Sequence, residues 1–336
     1  MRGVIVADSE AMRPDARAWF HSRTTSAASL EAVDVDALLH AKRRAGARVS
    51  VVLPARDEQA TVGALVADIA ERWMRRTPLV DELLVVDSDS TDGTAEVARA
   101  AGADVVSTAD VLPAHGTRPG KGEALWKSLA ATSGDLVVFL DSDLRGDVAH
   151  FVPGLLGPLL TDASVHFVKG CYTRPLETDA GTDPTGGGRV TELTARPLLN
   201  ALFPELAGFV QPLGGEYAGR RSVLERVPFA GAYGVEIGLL VDLLGLVGLG
   251  GLAQVDLGER RHTSQSQEAL GAMAGQVAAT VLARAGGLPP TAGGLLTQFR
   301  HDGEGFVPRS TAVALDERPP MLSVPEYRAR RAGLAG

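Results

Sequence analysis

The sequence predicts an α/β fold in which a mostly parallel, Rossmann-like sheet carries helices on both faces. Short apolar runs rich in β-branched residues lie at 48–53, 83–87 and 136–140, and segments with apolar residues at helical spacing separate them. Each run is followed by a polar, acidic loop, and the carboxyl ends of parallel strands are where such sheets bind ligands. We therefore expect a ligand site at one edge of this sheet.

Composition and charge narrow the functional classes. The 336 residues suffice for one large domain or two small ones, and 45% hydrophobic with 22% charged residues is ordinary for a globular protein. A formal net charge of −8 argues against nucleic acid as a partner. Cys171 is the only cysteine, which excludes an internal disulfide and favours a small buried hydrophobe at that position.

No segment of the sequence predicts export or membrane insertion. The first residues lack the basic segment, apolar run and cleavage site of a signal peptide in that order. Asp242 and several small or polar residues interrupt the most membrane-like stretch, 237–255, so we predict a buried helix, a glycine-containing turn and a strand there. The expectation is a cytoplasmic protein without a membrane partner.

The first half of the chain reads as alternating strands and helices. Residues 1–47 are predicted to be peripheral, with one amphipathic helix and a mobile stretch over the first two dozen residues. A strand at 48–53 then stops at Pro54, and a helix follows with apolar residues from Val62 to Trp73. The next predicted elements are a strand at 83–87, an alanine-rich helix at 95–101, a strand at 104–107 and a helix within 119–129.

The second half changes character after about residue 170. A loop-forming, glycine-rich stretch at 177–188 leads into a helix that begins near Arg189. A tight turn beside a strand follows at 211–219, and Glu236 stands at the start of a long helix. The last segment, 317–336, has too little apolar content to fix its own structure.

The run at 136–140 ends in an Asp-Ser-Asp sequence, and this is the feature on which the functional hypothesis rests. If the extended conformation continues, the carboxylates of Asp141 and Asp143 lie on one side of the backbone. Two hard oxygen ligands at the end of a central strand are half of a site for Mg²⁺ or Mn²⁺, which would neutralise a diphosphate leaving group. The same spacing occurs twice more in the chain, so a strand-end turn or a helix cap is the alternative.

Two further stretches are typical of anion-binding sites. Lys121 stands between glycines at the start of a predicted helix, where backbone N–H groups and an ammonium suit a phosphate. The triple glycine before Arg189 and Thr191 offers N–H donors, a guanidinium and a hydroxyl for a phosphate or a carboxylate. In each case a simple turn or a flexible linker is the alternative. A Walker A loop and a GxGxxG after the first strand are both absent from the sequence, which argues against a P-loop enzyme and a nicotinamide dehydrogenase.

Two single residues have both a structural and a functional interpretation. Glu236, in the first turn of its helix, complements the helix dipole in the ordinary case. His262 lies in a polar loop after a strand-like run, either as a solvated residue or as a metal ligand that completes the set begun by Asp143.

Nine motifs in a fixed order resemble the glucosyl-3-phosphoglycerate synthases of actinobacteria. They are VSVVLPARDE, LLVVDSDSTDGT, GKGEALWKSL, GDLVVFLDSDL, FVKGCYTRP, GGGRVTEL, QPLGGEYAGRR, GVEIGLL and GERRH, between about Arg48 and about Pro320. The resemblance implies a retaining glycosyltransferase of the GT-A fold, which moves glucose from a nucleotide sugar, above all UDP-glucose, to the 2-hydroxyl of 3-phosphoglycerate. It also implies Mg²⁺, with Mn²⁺ as the alternative, and a homodimer whose contact lies after Gly286.

The same resemblance implies four divisions of the chain and a role for each residue singled out above. The divisions are a peripheral segment 1–47, a nucleotide-sugar-binding half 48–170, an acceptor-binding half 171–286 and a C-terminal extension 287–336. Asp143 and His262 are implied to hold the metal, and Glu236 and Lys121 to take part in catalysis, with Tyr233 nearby. The implied nucleotide-binding residues are Pro54, Ala55, Arg56, Glu58, Ser88, Lys121 and Asp141, and the implied acceptor-binding residues are Gly188, Arg189, Thr191 and Ser264.

Three positions depart from the pattern of this family. Asp57 stands where the family usually has Asn, and Asp89 where it has Gly, which leaves the base and the sugar open. Ser264 stands where the family tends to carry an Asn that helps to hold the acceptor phosphate, which leaves the acceptor open.

The alternatives are a mannosyl-3-phosphoglycerate synthase, another GT-A transferase such as one that acts on a lipid phosphate, and a non-catalytic nucleotide-sugar sensor. A lipid-directed enzyme would need a basic amphipathic helix or membrane spans, and the sequence predicts neither. A sugar-phosphate nucleotidylyltransferase would need a glycine-rich, arginine-containing loop after the first strand, where this chain has PARDE.

Overall fold

A computed structural model describes residues 12–178, 181–183, 187–260, 266–287, 294–301, 303–313 and 315–334. The α-helices are α1 (Pro14–Arg23), α2 (Val35–Ala45), α3 (Val62–Ile69), α4 (Thr94–Ala101), α5 (Lys121–Ala131), α6 (Phe151–Thr161), α7 (Arg196–Leu202), α8 (Arg221–Leu224), α9 (Val235–Val247), α10 (Gln267–Arg284) and α11 (Pro325–Leu334). The strands are β1 (Thr24–Ser26), β2 (Val49–Ala55), β3 (Glu82–Asp87), β4 (Asp104–Ser107), β5 (Leu136–Phe139), β6 (Phe167–Thr173), β7 (Leu176–Thr178), β8 (Gly181–Asp183), β9 (Tyr217–Arg220), β10 (Phe229–Ala230), β11 (Leu252–Glu259), β12 (Gly294–His301), β13 (Phe306–Val313) and β14 (Glu317–Arg318). π-helical segments at Ala70–Arg76 and Thr191–Ala195 extend α3 and precede α7.

Eight of these strands form the central sheet, in the order β1-β11-β6-β9-β5-β2-β3-β4. Neighbouring strands in it are parallel except where β9 pairs with β5 and with β6. From β2 the chain moves through β3 and β4 on one side, whereas β5 lies on the other side of β2. The strand order therefore reverses between β2 and β5, and at such a reversal the diverging loops open a crevice for ligands.

Helices pack on both faces of the sheet, as the sequence predicts. Side chains alternate along a strand, so consecutive residues of β2 enter different apolar clusters. Val52 packs with Trp126 of α5 in one cluster, and Val51 packs with Leu65 of α3 and Leu155 of α6 in the other. Each cluster fixes one layer of helices against the sheet and thereby holds the crevice between rigid elements.

The first predicted strand is longer than expected, because Pro54 lies within β2 and does not end it. Pro54 pairs with Val86 of β3, whereas the pairing of β2 with β5 ends at Val52 and Phe139. The carbonyl oxygen of Pro54 accepts a hydrogen bond of 2.8 Å from the Ser142 hydroxyl, on the β5 side. Because β5 has already left the ladder there, the missing N–H of the proline costs no strand hydrogen bond.

The N-terminal segment is part of the core, so the prediction of a peripheral segment with one helix and two dozen mobile residues is wrong over the described residues. Two helices, α1 and α2, replace the single predicted helix, and Trp19 and Phe20 of α1 are buried in the main apolar cluster. Thr24–Ser26 adds an edge strand that pairs with β11. A three-residue strand of Thr, Thr and Ser carries no apolar alternation, so the sequence gives no sign of it.

The glycine-rich stretch and the C-terminal segment also acquire structure. The backbones of 176–178 and 181–183 pair as an antiparallel ladder where only a loop was predicted. The segment 317–336, which cannot fix its own structure, folds on the rest of the chain: β14 pairs with β10, and Met321 and Tyr327 are buried.

The stretch 237–255 forms the end of α9, a 3₁₀ turn at Leu249–Gly251 and the start of β11, as predicted. In the part of the chain that the structure describes, no helix combines the length and the apolar character that crossing a membrane requires.

Candidate active site

The crevice at the strand reversal is a cavity of about 660 Å³. Loops after β2, β3, β5 and β6 form one wall, and the starts of α5 and α9 together with one face of α10 form the other. The residues predicted for the site that line it are Pro54, Ala55, Arg56, Glu58, Ser88, Lys121, Asp141, Asp143, Gly188, Arg189, Thr191, Tyr233 and Glu236. His262 and Ser264, predicted for the metal and the acceptor, lie in 261–265, outside the described residues. The structure thus brings together in one cavity every predicted site residue that it describes.

Strand alternation does not position Asp141 and Asp143, which we call the acid pair. The prediction that the extended conformation continues to Asp143 is wrong. β5 ends at Phe139, and Ser142 and Asp143 form a turn that the Ser142 hydroxyl attaches to the end of β2. The two carboxylates meet instead at Arg260, whose Nη2 donates to Asp141 Oδ2 at 2.8 Å and to Asp143 Oδ1 at 2.9 Å.

Lys121 lies between two carboxylates. Its Nζ donates to Asp141 Oδ1 and lies 2.7 Å from Glu236 Oε1. Burial lowers the pKa of Lys121, but the charges of Asp141 and Glu236 outweigh burial and hold that pKa well above its usual value. Burial likewise raises the pKa of Asp141, and Lys121 and Arg260 outweigh it, which leaves that pKa at about 2. An ammonium and a carboxylate therefore face each other at neutral pH.

The two glycines that flank Lys121 make this arrangement possible. A Cβ at Gly122 would lie 2.0 Å from the carbonyl oxygen of Ala230, and one at Gly120 would lie 2.7 Å from Cα of Ala232. Gly120 also has φ +104°, a conformation that other residues rarely adopt. The start of α5 thus packs directly on the segment that leads into Glu236, which explains the contact between Lys121 and Glu236.

Arg260, at the end of β11, is a site residue that sequence reasoning missed. Besides its contacts with the acid pair, its Nε lies 2.9 Å from Oε1 of the buried Glu216, and the side chain is only 7% exposed. The hydroxyl of Tyr172 donates to the other oxygen of Glu216 at 2.5 Å. The only sequence signal was its place in the GERRH motif.

Glu58, in the loop after β2, sits close to the acid pair. Burial raises the pKa of its carboxyl group, and the charges of Asp143 and Asp141 raise it further. Thr61 opposes this by donating a hydrogen bond of 2.8 Å to Glu58 Oε2. Three carboxyl groups, those of Glu58, Asp141 and Asp143, therefore lie on the same part of the cavity, and a cation among them would relieve their mutual repulsion.

This chain is similar to known glycosyltransferases. Residues 50–201 match the family described as Glycosyl transferase family 2. A glucosyl-3-phosphoglycerate synthase from Mycolicibacterium smegmatis is 54% identical over 84% of this chain and 91% of its own length. The protein of the same name from Petrotoga mobilis is 40% identical over 88% of this chain and 92% of its own length.

This chain belongs to the glucosyl-3-phosphoglycerate synthase family.

A solved structure supports the same assignment at the level of the fold. Glucosyl-3-phosphoglycerate synthase from Mycobacterium tuberculosis, in complex with Mn²⁺, UDP-glucose and phosphoglyceric acid, is 48% identical to this chain. It superposes with a TM-score of 0.76 over 86% of this chain and 94% of that chain. The predicted GT-A fold and the predicted family are both confirmed.

Among the described residues that line the cavity, Asp143 is the one best suited to bind a divalent cation. Its carboxylate is 43% exposed at the cavity, next to Asp141 and Glu58, and carboxylate oxygens suit Mg²⁺ and Mn²⁺. Over the described ranges no three His, Cys, Asp or Glu residues gather as a complete metal site. Asp143 is thus a candidate ligand of a divalent cation.

The loop that carries Gly188, Arg189 and Thr191 opens onto the cavity. Gly188 has φ +75°, and its carbonyl oxygen accepts a hydrogen bond from the Glu192 N–H, which starts the helical segment. Arg189 and Thr191 lie on the cavity wall beside it. Arg174 also lines this part of the cavity and was not predicted, although it lies in the quoted motif FVKGCYTRP.

Proposed function

We propose that this protein transfers glucose from UDP-glucose to the 2-hydroxyl of 3-phosphoglycerate and releases UDP. The observation that carries the proposal is the joint position of Lys121, Asp141 and Glu236 in one cavity of a chain that belongs to this family. A transferase needs a cation at the leaving phosphate and a carboxylate near the sugar carbon, and this cavity offers both.

The loops on the β2 side of the cavity are proposed to bind the donor. Pro54, Ala55, Arg56, Glu58 and Ser88 are proposed to bind the nucleoside, Asp141 the ribose, and Lys121 the nucleotide or the sugar. The mutual contacts of the loops after β2 and β3 support this, because Glu58 N–H donates to Thr94 Oγ1 at 2.8 Å and Thr91 N–H donates to Asp57 Oδ1 at 2.7 Å. Two loops fixed to each other form a preformed wall for the base.

A divalent cation is proposed to bind beside the donor diphosphate, with Mg²⁺ as the physiological ion. Asp143 and His262 are the proposed ligands. When bound, the ion supplies charge that offsets the leaving diphosphate. The clustering of Asp143, Asp141 and Glu58 supports this, since the two aspartates raise the pKa of Glu58 and a cation among the three would relieve that repulsion.

The chain's own residues account for the remaining steps. The Lys121 ammonium stabilises charge on the departing phosphate oxygen. Glu236 is held by Lys121 and is 6% exposed. Its carboxylate is proposed to stabilise the oxocarbenium-like sugar as the bond between the sugar carbon and the phosphate oxygen stretches. The acceptor hydroxyl then attacks on the same face and gives its proton to the departing oxygen, which retains the configuration.

The loop of Gly188, Arg189 and Thr191, with Ser264, is proposed to bind the acceptor. A helix start with a guanidinium and a hydroxyl is suited to a phosphate or a carboxylate. The acceptor carries one of each, so the chemistry of the loop matches either end.

A substrate panel tests the proposal. The protein is incubated with UDP-glucose, GDP-glucose, ADP-glucose or GDP-mannose, each with 3-phosphoglycerate and with Mg²⁺ or chelator, and the products are identified by mass spectrometry. We expect a hexosyl-phosphoglycerate from UDP-glucose only with the metal. Product from GDP-mannose alone would identify a mannosyl enzyme, and donor binding without any product would identify a sensor.

We also propose a homodimer built on the hairpin β12–β13. Alternate residues of the hairpin face opposite sides, and one side packs on α10, where a Cβ at Gly275 would lie 3.4 Å from Leu296. The other side presents Leu295, Phe299 and Phe306, which are 74%, 65% and 76% exposed. A self-complementary apolar strip of this kind suits a second copy of the chain.

Sedimentation equilibrium tests the dimer. The wild-type protein should sediment at twice the chain mass of 35.0 kDa, and the double variant Leu295→Glu, Phe299→Glu should be a monomer. Leu193→Glu, at an exposed apolar residue off the hairpin, serves as the control and should remain dimeric. A dimeric double variant would refute the hairpin as the interface.

A further inference from the structure

Arg174 lines the cavity but has no role in the reaction proposed above. It follows β6 directly and lines the cavity beside Gly187, with which its backbone is hydrogen-bonded. Its Nε is buried and has no hydrogen-bond partner within the described residues. A guanidinium with a buried N–H that lacks a protein partner can still bind a ligand or a water molecule.

The other buried cations of the site do have partners. Lys121 contacts Asp141 and Glu236, and Arg260 contacts the acid pair and Glu216. Arg174 acts on Asp141 only through its charge, which helps to lower the pKa of that carboxyl group. Its guanidinium is therefore near the reaction centre and retains capacity to bind an anion from solution.

The backbone of Arg174 fixes the acceptor loop to the sheet. Its carbonyl oxygen accepts a hydrogen bond of 3.1 Å from the Gly187 N–H. A Cβ at Gly187 would lie 2.1 Å from that oxygen and 2.7 Å from the Cβ of Arg174, so only glycine fits. The side chain of Arg174 thus starts from the base of the same loop that carries Gly188 and Arg189.

The proposed acceptor needs anion-binding groups at both ends. 3-Phosphoglycerate has a carboxylate at one end and a phosphate, with a charge of about −1.5 to −2, at the other. Its reactive 2-hydroxyl lies between them, so both ends have to be held for that hydroxyl to face the sugar. Among the proposed acceptor-binding residues that the structure describes, only Arg189 carries a positive charge, so these residues supply a cation to one end of the acceptor.

We propose that Arg174 is an acceptor-binding residue that holds one anionic end of 3-phosphoglycerate, opposite the end held by Arg189. This rests on the proposed function. The shared chemistry, a guanidinium with a phosphate or carboxylate oxyanion, also fits the donor diphosphate, and the experiment separates the two.

Steady-state kinetics and calorimetry on Arg174→Met test this proposal. The variant should raise KM for 3-phosphoglycerate about 10- to 100-fold, which is the range for loss of a charge-assisted hydrogen bond. The Kd for UDP-glucose with Mg²⁺ should stay within about twofold, since no donor contact is lost. Arg174→Lys keeps the charge but lacks the planar guanidinium that can donate two parallel hydrogen bonds, so it should show an intermediate KM.

Truncated acceptors identify the end that Arg174 holds. Glycerate lacks the phosphate and glycerol 3-phosphate lacks the carboxylate. Wild type and Arg174→Met should have equal KM values for the analogue that lacks the group bound by Arg174, and should differ for the other analogue. Arg226→Met, at an exposed arginine outside the cavity, controls for the loss of one positive charge.

Three results would overturn the proposal. One is an unchanged KM for 3-phosphoglycerate in Arg174→Met while the wild type is active. Another is a parallel loss of UDP-glucose affinity, which would assign the guanidinium to the diphosphate. The third is a fall in thermal unfolding temperature with equal losses of activity on every substrate, which would show that Arg174 has a structural role. If Arg174→Met does not fold, Arg174→Gln and Arg174→Lys supply the same measurements. Absence of any product from wild-type protein would instead refute the proposed function itself.

Discussion

At the scale of single residues, the site depends on carboxylates that neighbouring cations hold in position. Glu236 is the clearest case, since it is buried in the first turn of α9 and its Oε1 lies 2.7 Å from Lys121. A carboxylate held in place before the reaction stabilises positive charge on the sugar without further reorganisation.

Replacing Glu236 with Gln should lower kcat about 100-fold, because the shape is kept and the negative charge that stabilises the sugar cation is lost. The Kd of UDP in the presence of Mg²⁺, measured by calorimetry, should be unchanged within error. Undiminished turnover in Glu236→Gln would remove this residue from the mechanism.

Lys169, on β6, is a buried lysine whose charge interacts with charged residues of the site. It is 1% exposed, its Nζ donates to the carbonyl oxygen of Gly214 at 2.6 Å and it lies 4.6 Å from the ring centre of Tyr217. Burial lowers the pKa of Lys169 to about 8; the carboxylates that face it, Glu236, Glu216 and Asp141, oppose burial, and Lys121 adds to it.

The pKa of Lys169 predicts a pH dependence of stability. Between about pH 8 and about pH 10.5 the unfolded chain keeps the lysine proton and the folded chain releases it, so the free energy of unfolding rises with pH in that window. Relative to Lys169→Met, wild type should gain up to about 3 kcal/mol across it. Urea unfolding of both proteins at several pH values measures this difference, and identical pH dependence in the two proteins would contradict it.

The sequence predicted the site residues that directly follow a strand or begin a helix. It missed the site residues that come from distant parts of the chain. Asp141, Lys121 and Glu236 carry local signals, namely a strand end, flanking glycines and a helix start. Arg260 is 119 residues from Asp141 in the sequence, and its role depends on a pairing that only the folded sheet creates. Arg174 was missed for the same reason.

At the scale of elements, the loops after β2 and β3 carry two departures from the family pattern, and both have a conformational meaning. Asp57 has φ +56° and Asp89 has φ +57°, in the left-handed region that Asn and Gly adopt more readily than other residues. The family's Asn and Gly at these positions therefore match the backbone, and the two aspartates are tolerated in it.

Because the backbone of Asp89 is left-handed, we expect glycine to be more stable than alanine at this position, the reverse of the order in a helix. Asp89→Gly should be more stable than Asp89→Ala by about 1 kcal/mol, because alanine in the left-handed region is strained. At Asp36, in the first turn of α2, the same pair should show the ordinary order, with Ala more stable than Gly. Urea unfolding of the four variants measures both differences. If alanine is favoured at both positions, the left-handed assignment at Asp89 is wrong.

The elements predicted best are those with a strong local pattern, and the errors have physical causes. β4 and the helix after Val62 follow from apolar runs and spacings. Pro54 did not end β2, because whether a proline is tolerated depends on which side of the strand still has a partner. β1 was missed because β11 supplies its pairing and its own sequence has no alternation.

At the scale of the whole molecule, the fold collects positive charge in one place in an acidic chain. The formal net charge is −8, yet Arg56, Lys121, Arg174, Arg189 and Arg260 all line one cavity. They come from loops after β2, β6 and β11, from the start of α5 and from the segment that follows Gly188. The overall charge argued against nucleic acid as a partner, but it could not predict where these cations gather, because the pocket exists only after folding.

Proton NMR of the reaction product tests the central claim most directly. UDP-glucose, in which the sugar is α-linked, is mixed with 3-phosphoglycerate, Mg²⁺ and the wild-type protein, and the anomeric proton region is followed in time. We expect the anomeric signal of UDP-glucose to be replaced by that of an α-glucoside of 3-phosphoglycerate, with UDP as the second product. A β-glucoside would contradict the same-face mechanism, and release of free glucose without any glucoside would contradict transfer to the acceptor.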